Sequence, residues 1–382
     1  MNRTIIFINS ISGGGAERVV SRLFSNAKFS NDKEIWTLSD AVSYEIDSSI
    51  VTSYRGGSTL STILKIIYNL KGLDSTDFIQ CHLNRPILFT SLAHFINNKF
   101  HYQAVHCFAY SSYFSRKGLV GSLKRRFFGF LLKQVDSHIF KSIEMVGDFY
   151  QCFGWLPSSY TVINNPYDIQ NIESLAKEDI DASELSQKKL NRSSNVAVVG
   201  RLDKSKRVLD VLKLASRLSD DVVFHLFGEG RQKAELLEYC KQEGVTNVVF
   251  HGNVNNPFKY VRQCGLYLSC SEAEGFPNAA VEAMICGAIV IHSDCKTGPK
   301  EILFDHPENV RSFHEKSFYV GQRGILFKVG DIEGALKALE YALANSSELQ
   351  ARFQASISKF TTSLSLQSIS NKYDEYIRVK RD

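Results

Sequence analysis

The stretch Glu274-Gly275-Phe276-Pro277-Asn278-Ala279-Ala280-Val281-Glu282 places two carboxylates on either side of a helix start. Pro277 has no amide hydrogen and disfavours helix in the residue before it, so it marks a first turn and leaves Glu274 in the preceding loop. Glu282 then lies about one turn inside the helix. A helix start of this kind binds anions, and carboxylates accept hydrogen bonds from sugar hydroxyls. The stretch therefore predicts a site for a nucleotide sugar.

Two further motifs flank this stretch, Gly200-Arg201-Leu202-Asp203-Lys204-Ser205-Lys206 upstream and Gly298-Pro299-Lys300-Glu301-Ile302-Leu303 downstream. In this order and spacing the three motifs resemble those of glycosyltransferase family four, the retaining enzymes of GT-B fold. The N-terminal half resembles the family mainly through Gly13-Gly14-Gly15-Ala16-Glu17-Arg18. The resemblance covers nearly the whole chain. It implies an α/β protein with two Rossmann-like domains facing a central cleft and a C-terminal helix that crosses back to the N-terminal domain.

Length and composition agree with a two-domain globular protein. A chain of 382 residues exceeds the size that one hydrophobic core usually serves. No apolar run approaches the roughly 20 residues that cross a bilayer, and the apolar block at Met1 to Ile8 is too short for a signal peptide, so we expect a cytoplasmic protein. A net charge of +5 is too small to indicate nucleic acid, and the eight cysteines lack the spacing of a zinc site.

Apolar runs that alternate with helical periodicity predict parallel sheets in both halves. Between Asn165 and Ser194 the chain is polar and aperiodic, which indicates a domain boundary. The predicted domains are 1–168 for the acceptor, 169–193 as a linker, 194–361 for the donor, and about 362–382 as a helix that completes the first domain. The predicted strands are Thr4 to Asn9, Glu34 to Leu38, Phe78 to Leu83, Gln103 to Phe108, Asn195 to Val199, Val222 to Phe227, Val248 to His251, Leu266 to Cys270 and Ala288 to His292.

Arg201 and Lys206 are the predicted cations of the site. Negative charge grows on a nucleoside diphosphate as its bond to the sugar breaks, so positive groups must lie beside it. Both residues follow a strand end and precede a helix, where a guanidinium and an ammonium can face phosphate oxygens. Since Lys204 and Arg207 lie beside them, a solvated basic turn is the structural alternative. The family resemblance assigns both residues to the diphosphate.

By resemblance, Glu274 contacts hydroxyls of the donor sugar and Glu282 contacts the nucleotide ribose. The alternative is a pair of surface glutamates, one of them favoured in a first turn by the helix dipole. Glycine-rich loops also follow several predicted strands and permit close approach to a ligand, although glycines are ordinary turn residues there. The remaining predicted donor-binding residues are Gly14, Gly15, Gly200, Gly228, Gly230, Asn253, Val254, Gly275, Phe276, Pro277 and Asn278.

Three residues at predicted strand ends of the first half are candidates for substrate contact. His106 lies where the family often has a histidine near the reacting sugar, although a strand-end histidine is also a common structural hydrogen-bonding group. His82 and Asn84 follow another strand, and we expect them to face the acceptor.

The resemblance implies a transferase that retains the anomeric configuration, with a phosphate oxygen taking the proton of the attacking hydroxyl. The donor is expected to be UDP-linked, such as UDP-GalNAc, UDP-GlcNAc or UDP-Gal, and the acceptor a polyprenyl-diphosphate-linked glycan or a surface polysaccharide such as O-antigen or lipopolysaccharide. No acidic cluster indicates a metal, so neither metal nor cofactor is predicted. Phe276-Pro277-Asn278 replaces the glycine and leucine of many mannosyl or glucosyl relatives, which disfavours those donors.

The segment from Tyr113 to Lys133 is both basic and aromatic. Such a composition suits peripheral binding to the anionic cytoplasmic face of the inner membrane, and a core helix with a basic solvent face is the alternative. The predicted membrane-facing residues are Lys124, Arg125, Arg126, Phe127 and Phe128.

Two other functions remain open for the chain. A sugar-nucleotide epimerase of GT-B fold would need side-chain acids and bases around the sugar. A non-catalytic glycan-binding protein of the same fold would not need the cations and carboxylates of a donor site. This chain has all four, Arg201, Lys206, Glu274 and Glu282.

Overall fold

The computed structural model describes residues 3–26, 32–41, 44, 46–55, 59–115, 118–180, 192–310, 313 and 316–381. The chain divides into two compact units. One comprises Met1–Tyr167 and Leu364–Asp382, and the other Asp168–Ser363.

Strands and helices alternate along most of the described chain. The strands are β1 Arg3–Ile8, β2 Asp32–Thr37, β3 Val51–Ser53, β4 Phe78–His82, β5 His101–His106, β6 Ser137–Phe140, β7 Tyr160–Val162, β8 Asn195–Val199, β9 Val223–Phe227, β10 Val248–Gly252, β11 Leu266–Ser269, β12 Ile289–Ser293, β13 Phe318–Val320 and β14 Gly324–Phe327. The helices are α1 Gly15–Asn26, α2 Thr59–Leu70, α3 Asn84–His94, α4 Tyr110–Tyr113, α5 Leu119–Leu132, α6 Ile143–Phe153, α7 Ile169–Ala176, α8 Val208–Ala215, α9 Lys233–Gln242, α10 Phe258–Arg262, α11 Asn278–Ile285, α12 Pro299–Leu303, α13 Ile332–Ala344, α14 Ser346–Ser363 and α15 Leu366–Arg381. No described helix is both long enough and apolar enough to span a membrane.

The first unit is built on a sheet with the strand order β3-β2-β1-β4-β5-β6-β7, in which all neighbours are parallel. Its central strands are buried on both faces, as parallel sheets covered by helices require. Phe7, Ile79 and Ala104 from the strands pack in one core with Phe149 of α6.

The C-terminal helix α15 belongs to the first unit, as predicted. It packs against α1 and buries Ile369, Tyr373 and Ile377. The buried Lys141, directly after β6, donates a hydrogen bond of 2.5 Å to the Tyr373 hydroxyl. Because burial disfavours the charged ammonium, the pKa of Lys141 falls to about 8.

The second unit has a sheet with the order β10-β9-β8-β11-β12-β14-β13. All its pairs are parallel except β13 with β14. Val196, Leu226, Leu268 and Ile291 form its core with Leu339 of α13. Like the first sheet, it reverses strand order once near its centre, which is the doubly wound arrangement of Rossmann-like domains. The prediction of an α/β protein with two such domains is confirmed, and the nine predicted strands lie within two residues of observed ones.

Part of the predicted linker is helical. Residues 169–176 form α7, whose start is capped by the Asp168 carboxylate, which accepts a hydrogen bond from the Asn171 amide at 3.1 Å. Ile172 and Ala176 are buried, and the helix packs against α10. The polar residues of α7 lie on the side of the helix that faces solvent. The rest of the predicted linker includes residues 181–191, which lie outside the described residues.

Candidate functional site

The predicted cations and carboxylates lie where the second sheet reverses its strand order. Neighbouring strands β8 and β11 continue to strands on opposite sides, β8 to β9 and β11 to β12. The loops after such strands diverge and leave a crevice at their carboxyl ends, where ligands of doubly wound sheets bind. The loop after β8 carries Arg201 and Lys206, and the loop after β11 carries Glu274.

An ion pair joins these two loops. The Lys206 ammonium donates to Glu274 Oε1 at 2.5 Å, and the two side chains are 25% and 13% exposed. A backbone hydrogen bond of 2.8 Å from the Glu272 amide to the Ser205 carbonyl holds the same loops together. The short 3-10 turn that carries Lys206 begins at Asp203, whose carboxylate accepts from the Ser205 amide at 3.1 Å.

The ion pair also sets the charge of Glu274. Burial by itself raises the pKa of this carboxyl, but the charges of Lys206 and His292 and hydrogen bonds from Lys206 and Ser271 together outweigh burial, so the pKa lies below its ordinary value. Glu274 is therefore ionised at neutral pH. An ionised carboxylate accepts hydrogen bonds and has no proton to donate.

Arg201 lies in the same loop as Lys206 and extends into solvent. Its side chain is 73% exposed, and its guanidinium lies 3.4 Å from the Asp203 carboxylate. A long exposed side chain of this kind reorients at little cost when an anion binds beside it.

The helix start predicted at Pro277 is present, one residue later than expected. Pro277 is the N-cap of α11, which begins at Asn278, and it offers no side-chain cap. Glu282 lies inside the helix and is 5% exposed. Burial, with added repulsion from the charges of Glu274 and Glu282, raises the pKa of the buried Tyr267 hydroxyl.

Glycines bring the neighbouring backbones into contact around the site. A Cβ atom on Gly228 would lie 2.0 Å from the Gly200 carbonyl oxygen, and one on Gly230 would lie 2.2 Å from the Leu202 carbonyl oxygen. Gly298, at φ +98°, packs against the turn before α11, where a Cβ would lie 2.8 Å from Pro277 Cδ. Close packing between loops thus accounts for these glycines whether or not a ligand is bound.

Other predicted donor residues lie at the carboxyl ends of the strands in each unit. Asn253 and Val254 follow β10. Asn253 is exposed, and Val254 is half-buried. Gly14 and Gly15 open α1 in the first unit, after Gly13 turns the chain at φ +71°.

His106, the predicted sugar contact, is enclosed by protein. It is 0% exposed, one ring nitrogen lies 2.6 Å from the Tyr110 hydroxyl, and the other lies 2.9 Å from His138 Nδ1. Its ring stacks on Phe140 at 4.4 Å between centroids. Burial lowers the pKa of His106 well below its ordinary value, so the ring is neutral. A direct contact with substrate would require these neighbours to move.

His82 and Asn84, the predicted acceptor residues, lie at the carboxyl end of β4. His82 Nε2 is 2.8 Å from Gln80 Oε1, which is an acceptor, so Nε2 carries the hydrogen and Nδ1 presents a lone pair. The buried atoms His82 Nδ1, Asn84 Oδ1 and Asn9 Oδ1 have no hydrogen-bond partner among the residues that the structure describes. Asn9, which follows the adjacent strand β1, is a residue that sequence reasoning missed.

The basic helix α5 exposes an apolar stripe. Phe127 is exposed as predicted, but Phe128 is only 7% exposed because its ring packs against Tyr110 and Phe114 in the core. The assignment of Phe128 to the membrane-facing surface is therefore wrong. Lys124, Arg125 and Arg126 are exposed, and Arg116 and Lys117 of the same basic segment lie outside the described residues. The exposed apolar residues that the prediction omitted are Leu119, Val120, Leu123 and Phe130.

Within the described ranges, no group of three or more His, Cys, Asp and Glu side chains is placed to hold a metal ion. The expectation of a metal-independent reaction stays a prediction.

Sequence and structure comparisons connect this geometry to known proteins. Over 343 residues the chain is 28% identical to the N-acetylgalactosamine-N,N'-diacetylbacillosaminyl-diphospho-undecaprenol 4-alpha-N-acetylgalactosaminyltransferase of Campylobacter jejuni, with 85% of this chain and 90% of the relative covered. It is 31% identical to the lipopolysaccharide 1,6-galactosyltransferase of Salmonella typhimurium over 112 residues, which cover 28% of this chain and 31% of that one.

Solved structures share the fold. Anabaena HepE in complex with UDP-glucose superposes with a TM-score of 0.76 at 18% identity, with 99% of each chain covered. The lipopolysaccharide outer core galactosyltransferase WaaB superposes with a TM-score of 0.69 at 18% identity, with 100% of each chain covered.

The family model of glycosyl transferases group 1 matches residues 181–360, the region that contains the three motifs and the ion pair. This agrees with the family that the motifs predicted. Over this region, the chain is similar to the glycosyl transferases of group 1.

Proposed function

We propose that the protein transfers a hexosyl or N-acetylhexosaminyl group from a UDP-linked sugar, such as UDP-GalNAc, UDP-GlcNAc or UDP-Gal, to a lipid-linked or surface-polysaccharide acceptor, with retention of configuration. The observation that carries the proposal is the Lys206–Glu274 ion pair at the strand-order reversal of the second unit. The relative from C. jejuni is named for transfer to an undecaprenol-diphosphate-linked sugar, and the HepE structure contains UDP-glucose.

Lys206 and Arg201 would stabilise the departing diphosphate. The Lys206 ammonium has three donors, and the carboxylate oxygen at 2.5 Å engages one of them. Its other donors and the exposed Arg201 guanidinium can face phosphate oxygens, where charge grows during transfer. These cations would supply the charge that a divalent ion supplies in other transferases.

Glu274 would orient the donor sugar by accepting hydrogen bonds from its hydroxyls. Its lowered pKa keeps it ionised, so it is unsuited to act as a general acid. This differs from glycoside hydrolases, in which a carboxylic acid of raised pKa protonates the leaving group. Glu282 would accept hydrogen bonds from the ribose, and Asn253 and Val254 would face the base.

Retention requires the acceptor hydroxyl to attack from the face that the diphosphate leaves. The bond from the anomeric carbon to the phosphate oxygen breaks and the new glycosidic bond forms. The hydroxyl proton passes to the departing phosphate oxygen. No side-chain base is needed in this scheme, and the protein supplies position and charge.

In the first unit, His82 and Asn84 would bind acceptor hydroxyls together with Asn9. All three present buried acceptor atoms at the carboxyl ends of two adjacent strands. A buried hydrogen-bond chain from Gln80 to Gln103 at 2.5 Å, and from Gln103 to Ser137 at 3.0 Å, fixes the amide of Gln80. The chain thereby keeps His82 Nδ1 as an acceptor, which suits a ligand rich in hydroxyl donors.

A membrane surface on α5 would bring the protein to a lipid-linked acceptor at the cytoplasmic face of the inner membrane. Its exposed apolar residues are 53% to 78% exposed and lie beside Lys124, Arg125 and Arg126. Phe130 stacks on Phe95 at 5.7 Å, which extends the apolar surface to the end of α3. Apolar side chains enter the interface of a bilayer, and each basic group adds about 1 kcal/mol with anionic lipid.

Two alternative functions make different predictions. A sugar-nucleotide epimerase would convert the donor without an acceptor, which nuclear magnetic resonance of the products detects. A non-catalytic glycan-binding protein would bind the acceptor with no turnover of any nucleotide sugar.

Changing either cation tests the diphosphate assignment. We expect Arg201→Ala and Lys206→Ala each to lower kcat by about 10²- to 10³-fold, because each removes one positively charged donor worth about 3 to 4 kcal/mol to the departing diphosphate. Lys206→Ala should also lower the melting temperature, because it leaves the largely buried Glu274 without its cation. Arg201→Ala should leave the melting temperature unchanged, since the Arg201 side chain is exposed.

The matched control is Lys204→Ala, an exposed lysine in the same loop. Its kcat and melting temperature should equal those of the wild type. If Lys206→Ala turned over donor at the wild-type rate, the assignment would be wrong.

Changing His82 tests the acceptor assignment. His82→Phe should raise the KM for acceptor by about tenfold or more, because buried acceptor atoms that bind hydroxyls are lost. The slow hydrolysis of donor without acceptor should not change. His94→Phe, which alters another buried histidine near the far end of α3, should leave the KM for acceptor unchanged. A KM for acceptor that stays at the wild-type value in His82→Phe would contradict the assignment.

Liposome sedimentation tests the membrane surface. The wild type should pellet with vesicles containing anionic lipid and much less with neutral vesicles, and the triple change of Lys124, Arg125 and Arg126 to Glu should abolish the difference. The same charge change at Arg231, Lys233 and Lys241 in the second unit should have little effect. Equal pelleting of both variants with both lipids would remove the hypothesis.

A further inference from the structure

Thr297 has an unfavourable backbone conformation beside the site. Its φ is +66°, in the left-handed region that β-branched residues rarely adopt, and the residue is 2% exposed. Such a conformation is energetically unfavourable and persists only where surrounding contacts compensate for it. The contacts of Thr297 therefore indicate what the strained conformation achieves.

Thr297 and its neighbour hold the backbone of Glu274. The Thr297 hydroxyl donates to the Glu274 carbonyl at 2.5 Å, and the Glu274 amide donates to the Lys296 carbonyl at 3.4 Å. Ala273 also forms a parallel bridge with Lys296. Both backbone polar groups of Glu274 are thus bound by residues 296–297, while its side chain is bound by Lys206.

The loop that carries Thr297 is itself anchored. The amide of Asp294, at its start, donates to the Phe327 carbonyl of β14 at 2.6 Å, and the Asp294 carboxylate lies 3.4 Å from the Lys300 ammonium. After Thr297, Gly298 packs on the turn before α11, where a Cβ would lie 3.0 Å from the Gly275 carbonyl oxygen. The loop therefore has little room to shift relative to Glu274.

We propose that Thr297 is a positioning residue for sugar transfer, which acts through Glu274. The hydroxyl holds the Glu274 peptide where its carboxylate meets both Lys206 and the donor sugar. Small displacements of a reacting or orienting group lower catalytic rates strongly, so the fold tolerates the strained residue. This inference rests on the proposed function, since it assigns Thr297 to the same donor site.

Isosteric substitution of Thr297 separates the effect of its hydroxyl group from the effect of its backbone strain. Thr297→Val keeps the shape and the β-branched strain and removes only the donor, so we expect kcat to fall about tenfold or more while the melting temperature changes little. Thr297→Ser keeps the hydroxyl and should retain kcat within about twofold. In a Glu274→Ala background, Thr297→Val should cause no further loss of kcat, because the residue acts through Glu274.

The outcomes distinguish this inference from the proposed function. If the wild type transfers sugar and Thr297→Val retains full kcat, or lowers it by the same factor with and without Glu274, the role of Thr297 is overturned and the proposed function stands. A wild type that transfers no sugar from any nucleotide donor would overturn both.

Discussion

The ion pair between Lys206 and Glu274 joins two loops that leave neighbouring strands of the second sheet. Two partly buried charges are stable there because each satisfies the other, and removing either partner leaves an uncompensated charge. The two loops start close together because β8 and β11 lie side by side, and they diverge beyond the ion pair because the chain continues to opposite sides of the sheet. The strand order therefore creates the crevice, and the ion pair fixes the geometry at its edge.

The two charges of the ion pair would have different roles in sugar transfer. A cation at the edge of the crevice can stabilise the negative charge that grows on a leaving diphosphate. An ionised carboxylate can accept hydrogen bonds from sugar hydroxyls without taking part in proton transfer. The lowered pKa of Glu274 connects the two roles, because Lys206 is the largest of the contributions that keep the carboxylate ionised despite its burial. The strained Thr297 extends this arrangement to the backbone of Glu274.

The strands and the site loops were predictable because their signals are local. Pro277 limits where a helix begins, and apolar runs mark buried strands, so α11 and the predicted strands were found within two residues. Features that depend on distant contacts were not predictable. The enclosure of His106 by Tyr110 and His138, the burial of Phe128 and the helix α7 inside the predicted linker all arise from tertiary packing. Nothing local in the sequence shows that Thr297 reaches the Glu274 carbonyl.

A crystal structure of the protein with a UDP-linked sugar directly tests the roles of Lys206 and Glu274. We expect a diphosphate whose oxygens lie within about 3 Å of the Lys206 ammonium. The Arg201 guanidinium should have turned toward these oxygens, and a sugar hydroxyl should donate to Glu274. A donor bound elsewhere in the chain, with the Lys206–Glu274 pair unchanged and touching no part of the nucleotide sugar, would contradict it.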